Sequence, residues 1–287
     1  MSGFREEIMT LCVAAECVYE SEARFVFAKD FAVETEIASA EIEAKWTRIG
    51  KADYPALIAG SASRAIELAD VISGRLDGDA SDGETLIQIA RSGVKEFKFR
   101  LADEYTGSHL GIGYERFLAE GTRILPVETH REMVEGIRTI TLGCSILWLP
   151  FGADDDTHII RINESGFVET CTHFAAIGSG MYIAEASLFQ REQSNEKSLG
   201  DTVYHIYEAM KLGAAAPGVG TSFSLHIVSP PNSPSGQVKL QWITPEYDKY
   251  MEKMFAKFGP KKTSGISFQP RGVKVNKFTA SGVPIDN

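Results

Sequence analysis

EEIMTLCVAAECVYESEARFVFAKD, residues 6–30, decides how this chain is read. Two apolar runs, LCVAAECV (11–18) and RFVFAKD (24–30), flank the polar YESEA and read as the two strands of a hairpin. Residues 1–9, before them, carry three charged side chains and no long apolar core, so they resemble no secretory signal and have no obvious structural value. If they are discarded, Thr10 becomes a chain end that holds a hydroxyl and a free amine together, and that combination can do chemistry.

Further strand pairs follow at KWTRIG (45–50) and YPALIAG (54–60). The apolar spacing of ASRAIELADVISG (62–74) predicts a helix, with Ser61 or Ser63 placed to cap it, and ETLIQIARSGVKEFKFRLADEY (84–105) predicts a second. Residues 106–138 are less regular, with short helical pieces at YERFLAEG and THREMVEGI around an LPV turn, and read as an insertion decorating a core. Strands resume in TITLGCSILWLPF (139–151) and THIIRINESGFVETC (157–171). FAAIGSGMYIAEASLF (174–189) passes from strand through a glycine turn into helix, and DTVYHIYEAMKLGAAA (201–216) predicts another helix before the strand FSLHIVS (223–229). Pro230, Pro231 and Pro234 end the domain, taken as 10–231. A helix, TPEYDKYMEKMFAKFG, and a tail rich in Gly, Lys and Ser fill 232–287. Strand pairs followed by helix pairs favour two sheets with helices outside over alternating βαβ units.

Composition narrows the function classes. With 287 residues and 44% hydrophobic content the chain can bury a substantial core. A net charge of −10 opposes nucleic-acid binding by the whole protein, although from residue 245 onward eight Lys/Arg face four Asp/Glu. No run approaches transmembrane length, so a cytoplasmic protein without membrane contact is expected. Cys12, Cys17, Cys144 and Cys171 form no C-x-x-C pair and read as buried reduced thiols. His158, His173, His205 and His226 are scattered through regular elements, and no metal or cofactor is expected.

Taken singly, the candidate chemical residues have ordinary readings. Thr10 suits a strand start, Asp30 a turn and Lys45 a solvated position, and the turn in IGSGMYIA (177–184) lacks the third glycine of a dinucleotide fingerprint. Their order carries more: Thr10, Asp30 ending the second strand, Lys45 opening the third, Ala59-Gly60 before a helix, then Gly178-Ser179-Gly180.

That series resembles the proteasome β-subunit family of N-terminal nucleophile hydrolases, as a divergent, bacterial-type member, over about residues 10–229. The resemblance implies a four-layer αββα sandwich of two mainly antiparallel sheets. It implies Thr10 as nucleophile, its freed amine as base, Lys45 as the cation beside them, Asp30 orienting that lysine, Gly60 as oxyanion donor and Ser179 near the amine. It further implies self-association into a ring and a peptide or small-amide substrate, leaving any unfoldase partner open.

Active members also carry an aspartate and a second serine before the strand that corresponds to FSLHIV. Here those positions fall on Ala216 and Val219, with Thr221 and Ser222 close by. The resemblance therefore leaves two functions open, a threonine-type amide hydrolase and a non-catalytic ring-forming or scaffold subunit; a nucleotide-binding enzyme using the IGSG turn lacks the Lys and acidic groups that phosphate and metal need. Thr10 would be exposed either by self-cleavage or by translation from Met9, and Ile8-Met9 in place of a preceding glycine favours the second or an uncleaved precursor.

Overall fold

β1 (Leu11–Tyr19) and β2 (Glu22–Asp30) form the hairpin in a register running from Cys12 opposite Lys29 to Tyr19 opposite Glu22. The two turn residues, Glu20 and Ser21, both take left-handed backbone conformations (φ 52° and 67°), the geometry that matches the twist of a two-residue hairpin. The computed structural model describes residues 10–34, 39–41, 45–76, 82–152, 157–231, 236–243 and 245–260. The leader 1–9 and the tail from 261 lie outside the described residues.

β1 is buried from Leu11 to Cys17, and this explains why its sequence is a continuous apolar run without alternation: both faces are covered. Cys12 and Ala14 face the core between the sheets, while Leu11, Val13, Ala15 and Cys17 pack in a second core with residues of α5 (Met181–Gln190) and α6 (Leu199–Gly213). The first sheet has the order β10-β1-β2-β11-β12, with β10 at Phe174–Gly178, β11 at Phe223–Ser229 and β12 at Lys239–Trp242. The second is β5 (Trp46–Ile49), β6 (Tyr54–Gly60), β7 (Cys144–Trp148), β8 (Ile159–Ile162) and β9 (Val168–Cys171). Every pairing in both is antiparallel. A small ribbon joins β3 (Ala32–Glu34) to β4 (Ser39–Glu41).

α1 (Ala62–Ser73) and α2 (Gly83–Leu110) cover the second sheet, so the layers run helix, sheet, sheet, helix, as expected. Ser61, not Ser63, caps α1 by accepting from the Arg64 N–H, and Asp82 caps α2 through Thr85. α2 has 28 residues, about 42 Å at 1.5 Å per residue, and runs past the expected start of the insertion. Within the insertion, α3 (Tyr114–Ile124) and α4 (Val127–Arg138) form a hairpin against α2.

The long strand runs expected at 139–151 and 157–171 are shorter. The second breaks at Gly166, whose φ of 84° turns the chain between β8 and β9. Residues 239–242, read as tail, instead pair with β11 as β12, and α7 (Pro245–Phe258) buries Met251 in the core beneath α6. All four residues of β12 are exposed, although Leu240 and Trp242 alternate with polar residues as in a strand.

Candidate active site

Three strand ends meet at Thr10. Because Thr10 immediately precedes β1 and Asp30 ends its hairpin partner, the register brings both to the same end of the sheet. Lys45 precedes β5, where its carbonyl accepts the Ile58 N–H of β6 at 3.0 Å, and the next residue, Trp46, packs on Phe27 of β2 with ring centroids 6.5 Å apart. These contacts lock the second sheet's edge over the first and aim Lys45 at the hairpin's end.

The three side chains close a triangle. Lys45 Nζ donates to Thr10 Oγ1 at 2.5 Å and to Asp30 Oδ1 at 2.7 Å, and the Thr10 hydroxyl donates to Asp30 Oδ1 at 2.5 Å. All three residues are buried. Asp30 also accepts the Leu11 N–H on Oδ1 at 3.0 Å and the Gly220 N–H on Oδ2 at 2.9 Å, so four donors share one carboxylate. A charge taken from water needs such compensation, and charge-assisted bonds are the stronger kind.

Ser179 Oγ donates to the Thr10 carbonyl at 3.4 Å, on the turn between β10 and α5. The glycine before it is forced: Gly178 has φ 96°, and a Cβ there would lie 2.0 Å from the Thr10 carbonyl oxygen. Gly60 also has a left-handed φ of 89°, and a Cβ would lie 2.7 Å from the Gly143 carbonyl oxygen. That crowding alone accounts for the glycine, so its part as an oxyanion donor rests on the resemblance.

Thr10, Asp30, Lys45 and Ser179 are thus brought together, and Gly60 lies two residues beyond Ile58 on the strand that anchors Lys45. Sequence reading missed Gly220, which acts through its backbone and has no side chain to advertise it; the only trace was the PGVG break before β11. It also gave Asp30 a single partner, Lys45, where the carboxylate binds the Thr10 hydroxyl directly as well.

Ala216 and Val219, in the positions the resemblance gives to polar groups, belong to the apolar core with Leu11 and Met210. Cys12, two residues from Thr10, is not a competing nucleophile. Burial, and then the Asp30 charge, push its thiol up to about 12, and its Sγ points at the Ile58 carbonyl at 3.5 Å. Among the described residues no group of three or more His, Cys, Asp or Glu is placed to hold a metal ion, and no helix is long and apolar enough to cross a membrane.

No protein-family profile and no curated protein matches the chain by sequence. Among solved structures it is similar to the Anbu (Gly-1) mutant from Hyphomicrobium sp. strain MC1, with a TM-score of 0.54 and 14% identity over 86% of this chain and 94% of that one. At that identity the likeness speaks for the fold alone, and the chain has a proteasome-like αββα sandwich fold.

Proposed function

We propose that this chain is a threonine-type N-terminal nucleophile hydrolase that cleaves amide bonds in peptides or small amides, with Thr10 as nucleophile once its amine is free. The observation that carries the reading is the 2.5 Å hydrogen bond from Lys45 Nζ to Thr10 Oγ1 inside a buried site. An ammonium at that distance stabilises negative charge developing on the oxygen and lowers the pKa of a neighbouring amine from its ordinary ~8, toward the range where a base works at neutral pH.

In this reading Thr10 Oγ1 bonds to the substrate carbonyl carbon as its proton passes to the Thr10 α-amine. The carbon–nitrogen bond then breaks, the ammonium returns the proton to the leaving amine, and an ester to Thr10 remains. Water, deprotonated by the same amine, attacks that ester and releases the acid. Gly60 N–H would hold the oxyanion, a contribution of about 3–4 kcal/mol where such donors have been removed. No metal or cofactor takes part in any of these steps.

Two arms test the reading. Intact mass of protein from its native host reports whether Thr10 is the first residue, and an electrophilic threonine-directed inhibitor is offered to protein beginning at residue 10. An adduct at Thr10 is expected. Its absence, together with no turnover of fluorogenic amides, would overturn the reading.

A second reading, a non-catalytic ring-forming or scaffold subunit, draws support from the apolar Ala216 and Val219 beside β1. Ala216→Asp separates the two: acylation should rise in the order full-length chain, Thr10-start protein, Thr10-start protein with Ala216→Asp. A flat response at every step favours the scaffold. Self-association fits both readings, since α5 exposes Tyr182, Ile183 and Phe189 on the outer layer. A ring is the expected form, and light scattering that gives a monomer at micromolar concentration would contradict it.

A further inference from the structure

An acidic chain, with 39 Asp and Glu against 29 Lys and Arg, carries a cationic cleft that the proposed chemistry does not use. α2 presents Lys95, Lys98 and Phe99 at i, i+3 and i+4, hence on one face, and the α3–α4 hairpin faces them with Tyr114, Ile137 and Arg138. The cleft is open to solvent and its volume is about 360 Å³. Its walls are fixed: a Cβ on Gly136 of α4 would lie 2.0 Å from the Tyr105 hydroxyl of α2, so the two helices touch beside the cleft. Phe99 and Tyr114 meet edge to face at 5.3 Å and build an apolar wall in advance.

Two acids of α2 lie beside these residues in sequence. Glu96 is taken by Arg75 and Arg100, and Asp103 accepts the Tyr114 N–H at 2.7 Å. Lys98 gives one hydrogen bond to the Ser165 carbonyl and keeps its remaining donors and its charge. Among the described residues Lys95 and Arg138 have no ion pair. Three cationic side chains thus line one cleft and no carboxylate does.

We propose that this cleft binds a small amphipathic anion. A flat apolar body of one or two rings lies against Phe99, Tyr114 and Ile137, and carboxylate or phosphate oxygens are held by Lys95, Lys98 and Arg138. The volume falls at the lower end of ligand pockets, about 300–1,000 Å³, and fits a small molecule. Arg138 supplies a planar two-pronged donor, and the two lysines supply point charges.

The test is calorimetric titration of the full chain with 2-naphthoate, 2-naphthyl phosphate and the neutral 2-naphthylmethanol. At least one anion should bind at least tenfold more tightly than the alcohol and weaken as salt rises; the preferred anion identifies the head group. Lys95→Glu/Arg138→Glu should abolish the preference, while Trp242→Ala, in a separate apolar groove beside β12, should leave it unchanged. Should the double variant misfold, Lys95→Gln on the exposed helix face reads the same loss. Equal affinity for the alcohol, an unaltered charge-reversed protein, or no anion binding at about 1 mM would each overturn the proposal.

Discussion

Gly220 donates its backbone N–H to Asp30 Oδ2 at 2.9 Å, tying the α6–β11 loop to the carboxylate that also holds Thr10 and Lys45. One buried carboxylate therefore joins β1, β2, the start of β5 and that loop. Asp30→Ala leaves Lys45 as a buried, uncompensated charge and should cost about 3–5 kcal/mol. The check is a urea midpoint that falls with the slope unchanged; Asp30→Asn, which keeps the shape, should lose less.

Thr10→Ala should abolish amide turnover in protein beginning at residue 10, and Thr10→Ser should retain part of it. The full-length chain should be inert, because the Thr10 nitrogen is then an amide and takes up no proton. Fluorogenic substrates and intact mass after inhibitor treatment report both. Labelling at Thr10 with residues 1–9 still attached would exclude the amine as base.

Lys45→Ala should slow the chemical step by several kcal/mol while Asp30 keeps its three other donors and the fold survives. Without the ammonium, the amine pKa rises, so the acidic limb of the pH–rate profile should move to higher pH. An unchanged rate and profile would mean that the 2.5 Å contact has no part in catalysis.

Gly178→Ala places a methyl carbon 2.0 Å from the Thr10 carbonyl oxygen at a left-handed φ. The β10–β1 pairing must open or Thr10 must shift, and a loss of more than about 1 kcal/mol is expected. A shift of Thr10 should also lower acylation further than the stability loss alone explains. Retained inhibitor labelling in a destabilised variant would show that β10 yields instead.

His226 is buried between Phe27 and Trp242, stacked on the first at 4.7 Å, and desolvation followed by Lys29 lowers its pKa from 6.5 to about 4. The unfolded chain thus binds more protons than the folded one between about pH 6.5 and 4. Stability should rise with pH across that window and fall as the pH drops through it. His226→Phe, which keeps the stack, should flatten this part of the denaturation profile. An unaltered profile would assign the acid sensitivity to other groups, His205 among them.

Much of the fold was legible because both faces of the central strands are covered. LCVAAECV was expected as a hairpin strand and is one, buried on both faces; of the two serines expected to cap α1, Ser61 does so, and the GSG turn precedes α5 as expected. β12 was missed: the alternation of Leu240 and Trp242 with polar residues is only four residues long, and the strand is exposed throughout and held by pairing with β11. Two β-runs are shorter than expected: the Asn163-Glu164-Ser165-Gly166 turn, whose residue types do mark a break, ends β8, and the approach to β7 lacks pairing partners.

Residue patterns along the chain account for the order of the elements up to β11, the apolar faces, and a set of polar residues at strand ends, since periodicity and turn chemistry are local. Tertiary structure alone decided that Thr10, Asp30 and Lys45 share one triangle, because their distances depend on the hairpin register and on how two sheets stack through Trp46 and Phe27. It also brought in Gly220, 190 residues from Asp30. A backbone N–H has no identity in a sequence and acquires a role only when folding places it against a charge.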